Sequence, residues 1–178
     1  MVLLAPTPRT SAPRAPALRA MPRPAPTEPT TAREVQSPFL LTTSVYHPDE
    51  PTTWPAHQHD EHELLWTDRG VVTMFAGGRQ WTVTPGVGLW IPAGVVHEGS
   101  VRSHTAVRAT YFAQATWTKN WDRPVAVTVN SAARGLLLHI KSAQMTVEQR
   151  VRAQQVCIDM LQVSETAQFE VPIPRDPR

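Results

Sequence analysis

Two stretches decide how this chain folds: W-P-A-H-Q-H-D-E-H-E-L-L-W-T-D-R-G at residues 54–70 and G-V-G-L-W-I-P-A-G-V-V-H at residues 86–97. Together they supply three imidazoles and one carboxylate: His57, His59, Glu63 and His97. Side chains two apart on a strand point to one face, so we expect His57 and His59 to face the same way. Glu63 would open the next strand, and His97 would complete the set from another strand.

Three nitrogens and a carboxylate are ligands that suit one divalent transition metal ion, and Zn, Ni, Fe, Mn and Cu all fit this set. An H-x-H pair alone is weak evidence, and the run H-D-E-H-E at residues 59–63 is also compatible with a solvated acidic loop. The second stretch, with its histidine at the end, favours the metal site. His62 has the opposite parity to Glu63, so we place it outside the ligand set.

The two stretches resemble the two signature motifs of the cupin superfamily. The matching residues are His57, His59, Glu63 and Gly70 in the first motif, and Gly86, Pro92, Gly94 and His97 in the second. Pro51 and Val101 depart from the motifs, but neither is a ligand position. The resemblance implies an all-β fold, a jelly-roll-like antiparallel barrel of six to eight strands with the metal inside its mouth.

The remaining pattern divides the chain into four parts. Residues 1–36 are rich in Pro, Ala and Arg, which predicts a disordered tail. Residues 37–130 contain short β-rich runs about ten residues apart, typical of a barrel, with a hairpin signal at Gly77-Gly78. Residues 131–169 carry a helical period that predicts two helices, the second opened by a capping box at residues 146–149. Residues 170–178 are expected to begin a linker.

The second predicted helix carries a stripe with helical spacing. Its residues are Val147, Val151, Gln154, Ile158 and Leu161. Such a stripe packs on the barrel or pairs with a copy of itself. The second alternative predicts a homodimer with this helix at its interface.

Aromatic residues are candidates for a ligand pocket. Trp54, Trp66 and Trp90 lie within the two stretches, and Tyr111 and Phe112 follow on a later strand. Tryptophan is well suited to core packing, so these residues either fill the core or line a pocket for a small-molecule effector. Because Tyr111 and Phe112 are adjacent on a strand, only one of them faces the barrel interior.

Charge and composition exclude several function classes. Residues 1–36 hold five arginines and two glutamates, whereas the rest of the chain carries 12 basic and 13 acidic residues. The predicted folded part therefore has no basic surplus for gripping nucleic acid. The single cysteine, Cys157, excludes an internal disulfide and fits a reducing cytoplasm. No apolar run approaches the ~20 residues that span a membrane.

The wider pattern is more specific than the barrel. H-x-H-D-x-H-E-L-L-W, the second stretch and the Pro-rich ending at residues 171–178 are similar to the N-terminal sensor domain of AraC-type transcription regulators. The resemblance implies a non-enzymatic, ligand-sensing and dimerising module that controls a C-terminal DNA-binding domain, which this chain lacks. The alternative is a stand-alone metal-dependent cupin enzyme, a dioxygenase or an isomerase, in which the ion offers an open position to substrate.

Overall fold

The computed structural model describes residues 41–164, with two further strand segments at residues 19–20 and 171–172. The predicted tail, residues 1–36, and the predicted linker, residues 170–178, otherwise lie outside the described residues. The strands are β1 (Arg19–Ala20), β2 (Leu41–Tyr46), β3 (Thr52–His57), β4 (His62–Arg69), β5 (Val72–Ala76), β6 (Arg79–Val83), β7 (Val87–Ile91), β8 (His97–Val101), β9 (Ala106–Phe112), β10 (Val125–Thr128), β11 (Gln162–Val163) and β12 (Val171–Pro172). A 3-10 turn, Gln114–Thr116, precedes β10, and the helices α1 (Ser131–Ser142) and α2 (Val147–Met160) follow it.

The described strands form two six-stranded sheets. Sheet 1 has the order β1-β3-β8-β5-β6-β12, and sheet 2 has the order β11-β10-β7-β4-β9-β2. Neighbouring strands are antiparallel except for β1, which pairs in parallel with β3. This arrangement confirms the predicted antiparallel barrel with helices after it. The pairing of β1 was not predicted, since the tail was expected to be irregular.

The interior of the barrel is filled by apolar side chains that both sheets contribute. Strand alternation sends every second residue inwards, so each of these strands presents one apolar face to the other sheet. The buried residues of this inner cluster are Leu65, Val72, Met74, Ala76, Trp81, Val83, Leu89, Ile91, Val101, Val107, Ala109 and Ala126. The sheets are therefore held together by side-chain packing through most of the barrel.

The turn between β5 and β6 is the tight hairpin that the sequence predicted. Gly77 and Gly78 both have positive φ angles, 60° and 74°. A two-residue turn with positive φ at both positions matches the right-handed twist of the flanking strands, and glycine adopts it without steric cost. The hairpin aligns β5 with β6 from Ala76 opposite Arg79 onwards.

The two helices cover the outer face of sheet 2. The Asn130 side chain caps α1 by accepting from the Ala133 N–H, and Thr146 and Gln149 form the predicted capping box of α2. Under the helices lies an outer cluster of buried residues: Leu41, Leu64, Trp66, Trp90, Phe112, Val127, Val129, Leu137, Ile140, Cys157, Ile158 and Leu161. Helix α2 ends at Met160, and Gln162–Val163 pairs with β10 as β11.

The stripe on α2 faces this cluster. Gln154, Ile158 and Leu161 are buried within the chain, and the Gln154 Nε2 donates to the Leu41 carbonyl. These three residues therefore present no surface to a partner, which corrects their assignment to a dimer interface. Val151 is half-buried and Val147 is exposed, so only this end of the stripe stays accessible. The homodimer itself remains a prediction.

Neither of the two described helices has both the length and the apolar character that crossing a membrane requires.

Candidate metal centre

The four predicted ligands lie at one end of the barrel, where β3, β4 and β8 meet the loops that join them. His57 is the last residue of β3 and pairs with His97, the first residue of β8. Glu63 lies on β4, and its Cα partner on β7 is Ile91. His59 lies in the loop between β3 and β4. The prediction that His57 and His59 share one strand face is therefore wrong, because β3 ends before His59.

Three of the four side chains converge. The Glu63 Oε2 lies 3.2 Å from the His59 Nε2 and 3.2 Å from the His97 Nε2. One potential ligand atom from each of these residues lies within 4.8 Å of the other two. We call His59, Glu63 and His97 the His-Glu-His cluster. Its three donor atoms are close enough to bind a single ion after small adjustments of the side chains.

His57 lies beside the cluster rather than in it. Its ring centroid is 4.3 Å from that of His97 and 6.2 Å from that of His59. The side chain is exposed, and its nitrogens are not among the converging atoms. Partial burial of the ring and the neighbouring His97 lower the pKa of His57. A role as a fourth ligand remains a prediction.

Backbone carbonyl groups fix the orientation of all three imidazoles. The Nδ1 atoms of His57, His59 and His97 each lie 2.8 Å from a carbonyl oxygen two residues away. The acceptors are Pro55, Glu61 and Val95, in that order. Because a carbonyl oxygen can only accept, Nδ1 carries the proton and the Nε2 lone pair is available in the neutral ring. Metal-binding histidines commonly have this arrangement.

The cluster is buried and strongly polarised. Burial alone would raise the pKa of Glu63, but the two histidines stabilise its carboxylate and hold the pKa well below the usual value. Burial alone would lower the pKa of His59, but the hydrogen bond to Glu63 and its charge raise that pKa above 6.5. The 3.2 Å hydrogen bond between the His59 Nε2 and the Glu63 Oε2 therefore favours a protonated imidazole beside an ionised carboxylate.

His97 supplies the observation that fits a metal ion. It is 2% exposed, and its Nε2 has no hydrogen-bond partner in the described part of the chain. The Glu63 Oε2 lies 3.2 Å away and interacts with the His97 ring electrostatically. A buried polar atom without a partner costs free energy, and an ion bound between Glu63 and His97 would remove that cost. The residues present therefore fit a divalent ion.

Aromatic side chains flank the cluster on the inner side of the barrel. Tyr111 is the cross-strand neighbour of Glu63, and its ring stands edge-on to that of His59 at 5.3 Å. Burial and the charge of Glu63 raise the pKa of Tyr111, so its hydroxyl stays protonated. Tyr46 packs edge-on against Trp54, with ring centroids 6.3 Å apart. We did not predict Tyr46 from the sequence, although it lies on the edge strand beside the expected pocket.

The other predicted pocket residues lie on the opposite face of sheet 2. Trp66, Trp90 and Phe112 are fully buried in the outer cluster, under the helices. Their parity along β4, β7 and β9 is opposite to that of the inward-facing residues, and strand alternation turns them away from the cluster. Of the five predicted pocket residues, only Trp54 and Tyr111 pack against the inner cluster.

A family model identifies the family of this chain. The family described as "AraC-like ligand binding domain" matches residues 41–154. The HTH-type transcriptional regulator NimR of Escherichia coli (strain K12) is 27% identical over 135 residues, which are 73% of this chain and 48% of NimR. The chain thus spans about half the length of this curated relative.

A solved structure shares the fold at low sequence identity. Apo ToxT K231A from Vibrio cholerae strain SCE256 matches with a TM-score of 0.53 and 10% identity, over 68% of this chain and 54% of ToxT. Oxalate decarboxylase from Bacillus subtilis at pH 4.6 is more distant, with a TM-score of 0.35 and 20% identity over 51% of this chain and 25% of the enzyme. The likeness to ToxT concerns the fold alone, and nothing about activity follows from the likeness to the decarboxylase.

Proposed function

This chain belongs to the family of AraC-like ligand-binding domains, and we propose that it is the sensing part of a transcription regulator whose signal enters through a divalent metal ion. The single observation that carries the metal proposal is the buried Nε2 of His97, which lies 3.2 Å from the Glu63 carboxylate and makes no hydrogen bond among the residues that the structure describes. His59 and His97 would bind the ion through Nε2 and Glu63 through its carboxylate. His57 is the candidate for a fourth ligand.

The bound ion would supply a positive charge and a coordination position for a small effector. Tyr46, Trp54 and Tyr111 would form the aromatic side of the effector site, because all three pack against the inner cluster. Since the hydroxyl of Tyr111 stays protonated, it can donate to an acceptor group on the effector. The effector class that fits best is a small molecule with both an apolar face and an anionic or carbonyl oxygen.

The metal proposal is tested by titrating chelator-treated protein with Zn²⁺, Ni²⁺ and Mn²⁺ in a calorimeter. We expect saturable binding of about one ion per chain by the wild type. Glu63→Gln and His97→Ala should lose most of that affinity, because each removes a buried ligand. His139→Ala, which changes an exposed histidine on α1, is the matched control. Binding that is equal in all four proteins would contradict the proposal.

The regulatory part of the proposal concerns a DNA-binding domain outside this sequence. An effector that binds one arrangement of barrel and helices better than another shifts the population towards it. In a dimer, that shift would change how two DNA-binding domains meet their half-sites. The described barrel and helices would sense the signal without turning over a substrate.

A fusion protein tests this part. Residues 37–178 are joined to a DNA-binding domain that needs dimerisation to repress a reporter, and metal supply is varied in the growth medium. We expect repression to change with metal supply in the wild-type fusion and not in the Glu63→Gln fusion. Identical responses of the two fusions would contradict a sensing role for the His-Glu-His cluster.

A further inference from the structure

His62 lies between two members of the His-Glu-His cluster in sequence but faces away from them. It is the first residue of β4, and its ring stacks on that of Trp90 with centroids 5.1 Å apart and an interplanar angle of 28°. The ring of Trp117 lies 5.9 Å away on the same side of sheet 2. This packing holds the imidazole in one orientation on the outer face. His62 is therefore not a metal ligand, and its ring makes a different contact.

That contact reaches the turn which carries His97 into position. The Ala93 N–H donates to the His62 Nδ1 at 3.0 Å. Ala93 lies in the turn between β7 and β8, where the Val95 N–H donates to the Pro92 carbonyl. Gly94 has φ 75°, which together with that hydrogen bond defines a type II turn with Ala93 at its first central position. His97 follows two residues after Val95, the last residue of this turn.

A second hydrogen bond ties the same turn to the cluster. The Gly94 N–H donates to the His59 carbonyl at 2.9 Å. His59 and Glu63 come from one side of the site and His97 from the other, so these two hydrogen bonds set the spacing between the two sides. The bond from Gly94 joins two backbones. The bond from Ala93 ends on a side chain, and substitution can remove it.

We propose that His62 is a positioning residue of the metal centre, which holds the turn at residues 92–95 at the distance where His97 and Glu63 bind the same ion. The inference rests on the proposed metal binding. Metal ligands must be held within about 0.5 Å of their productive geometry, and loss of a supporting hydrogen bond commonly lowers metal affinity 10- to 100-fold, on the order of what we expect here. The stack on Trp90 orients the ring, and the Nδ1 lone pair holds the turn.

Substitutions on both sides of the hydrogen bond separate this role from ordinary packing. His62→Phe keeps an aromatic ring on Trp90 but removes the acceptor. His62→Asn loses the stack but places its Oδ1 near the position of Nδ1, so the acceptor is retained. Ala93→Pro removes the donor and leaves His62 intact, and proline suits the first central position of a type II turn.

The experiment measures the affinity of the intact chain for Zn²⁺ by competition with a chelator, with far-UV circular dichroism and thermal unfolding of each metal-free protein. His62→Phe and Ala93→Pro should each weaken Zn²⁺ binding about tenfold or more. The double variant should bind Zn²⁺ no more weakly than the single variant with the lower affinity, because both substitutions remove the same hydrogen bond. His62→Asn and the exposed-site control His139→Phe should bind within about threefold of the wild type. With Co²⁺ as the probe, the visible absorption bands should shift in His62→Phe and not in His62→Asn.

The outcomes separate this inference from the proposed function. If the wild type binds no metal, both the positioning role of His62 and the proposed metal centre are wrong. If the wild type binds metal and His62→Phe or Ala93→Pro binds equally well, the positioning role is wrong and the metal centre stands. Additive losses in the double variant would also overturn the inference, as would a loss in His62→Asn equal to that in His62→Phe. If either His62→Phe or Ala93→Pro does not fold, the other variant still tests the inference, because each substitution removes the same hydrogen bond.

Discussion

Single residues in the cluster differ in how their surroundings set their charge. Glu63 is buried, yet two imidazoles keep its carboxylate ionised. His59 is partly buried, yet the same carboxylate favours its protonated form. His97 lies close to both, but its Nε2 makes no hydrogen bond within the described residues. A metal ion would replace the proton between His59 and Glu63, so proton and metal compete for the same atoms.

The pKa of His59 should fall when Glu63 loses its charge. In metal-free Glu63→Gln, the charge of Glu63 and the hydrogen bond to its carboxylate, which are the largest interactions that raise this pKa, are removed, while burial, which lowers it, remains. Proton NMR titration of the histidine ring signals measures the change, with the exposed His139 as internal control. A pKa of His59 that is the same in both proteins would show that Glu63 does not control its protonation.

The same shifts define a pH window for the metal-free fold. A raised pKa of His59 contributes stability that is fully present below 6.5 and is lost as the pH rises through the raised value. A lowered pKa of Glu63 contributes stability that is present above 4.5 and is lost as the pH falls through the lowered value. The pair therefore stabilises the metal-free protein most between these two pH limits. Glu63→Gln should lower the free energy of unfolding of the metal-free protein most in the same pH range.

At the scale of the elements, helix α2 packs against the outer cluster through one of its faces, and this face should contribute to the stability of the fold. Ile158 is 5% exposed in the outer cluster, whereas Val156 on the opposite face is 51% exposed. Ile158→Ala should lower the free energy of unfolding by about 2–5 kcal/mol, because a buried side chain is truncated and leaves a cavity. Val156→Ala should change it by less than about 0.5 kcal/mol.

Urea unfolding of the two variants at one pH measures this difference. Equal and small effects would mean that α2 does not pack against sheet 2 as described. Equal and large effects would mean that Val156 is also covered, for instance by a second copy of the chain.

The elements themselves could be predicted from the sequence because their signals are local. Thr146 and Gln149 form the capping box that the four-residue pattern indicates, and Gly77-Gly78 forms the expected hairpin. The faces of the elements could not be predicted to the same extent. An apolar stripe such as that of Ile158 and Leu161 has the same spacing whether it covers a sheet or a partner. Its true neighbour depends on contacts that are distant in sequence.

The site shows the same division between local and long-range information. The grouping of His59, Glu63 and His97 could be predicted, because the two sequence motifs contain these residues at the spacing of a shared site. The position of His59 could not be predicted, because the alternation of side chains along a strand was assumed to continue to His59, whereas β3 ends at His57. Trp90 was predicted to line the pocket, but it lies in the outer cluster. Which residues of β7 face the barrel interior depends on where the strand begins, and the glycine and proline turns on either side of β7 make that start hard to predict. Tyr46 was missed because no motif marks it.

At the scale of the whole molecule, the helices and the cluster lie on different faces of sheet 2. Glu63 points into the barrel, and its neighbour Leu64 points into the outer cluster beneath α1 and α2. Strand β4 is therefore shared between the metal centre and the helical layer. A change at the centre would reach the helices most directly through this strand.

We expect the chain to form a homodimer, and the accessible end of α2 is the part of the predicted interface that remains. Val147 is 55% exposed, so Val147→Glu should disrupt such an interface without disturbing the outer cluster. Light scattering of the wild type and of this variant at equal concentration measures the mass. A dimer that persists in Val147→Glu would place the interface elsewhere, and a monomeric wild type would exclude it.

The metal content of the purified chain tests the central claim most directly. Elemental analysis of the wild type and of His97→Ala, prepared side by side without added metal or chelator, should find about one divalent transition ion per folded wild-type chain. The variant should contain far less, because it lacks a buried nitrogen that makes no hydrogen bond in the described part of the chain. Equal metal content in the two proteins, or none in the wild type, would contradict the metal centre.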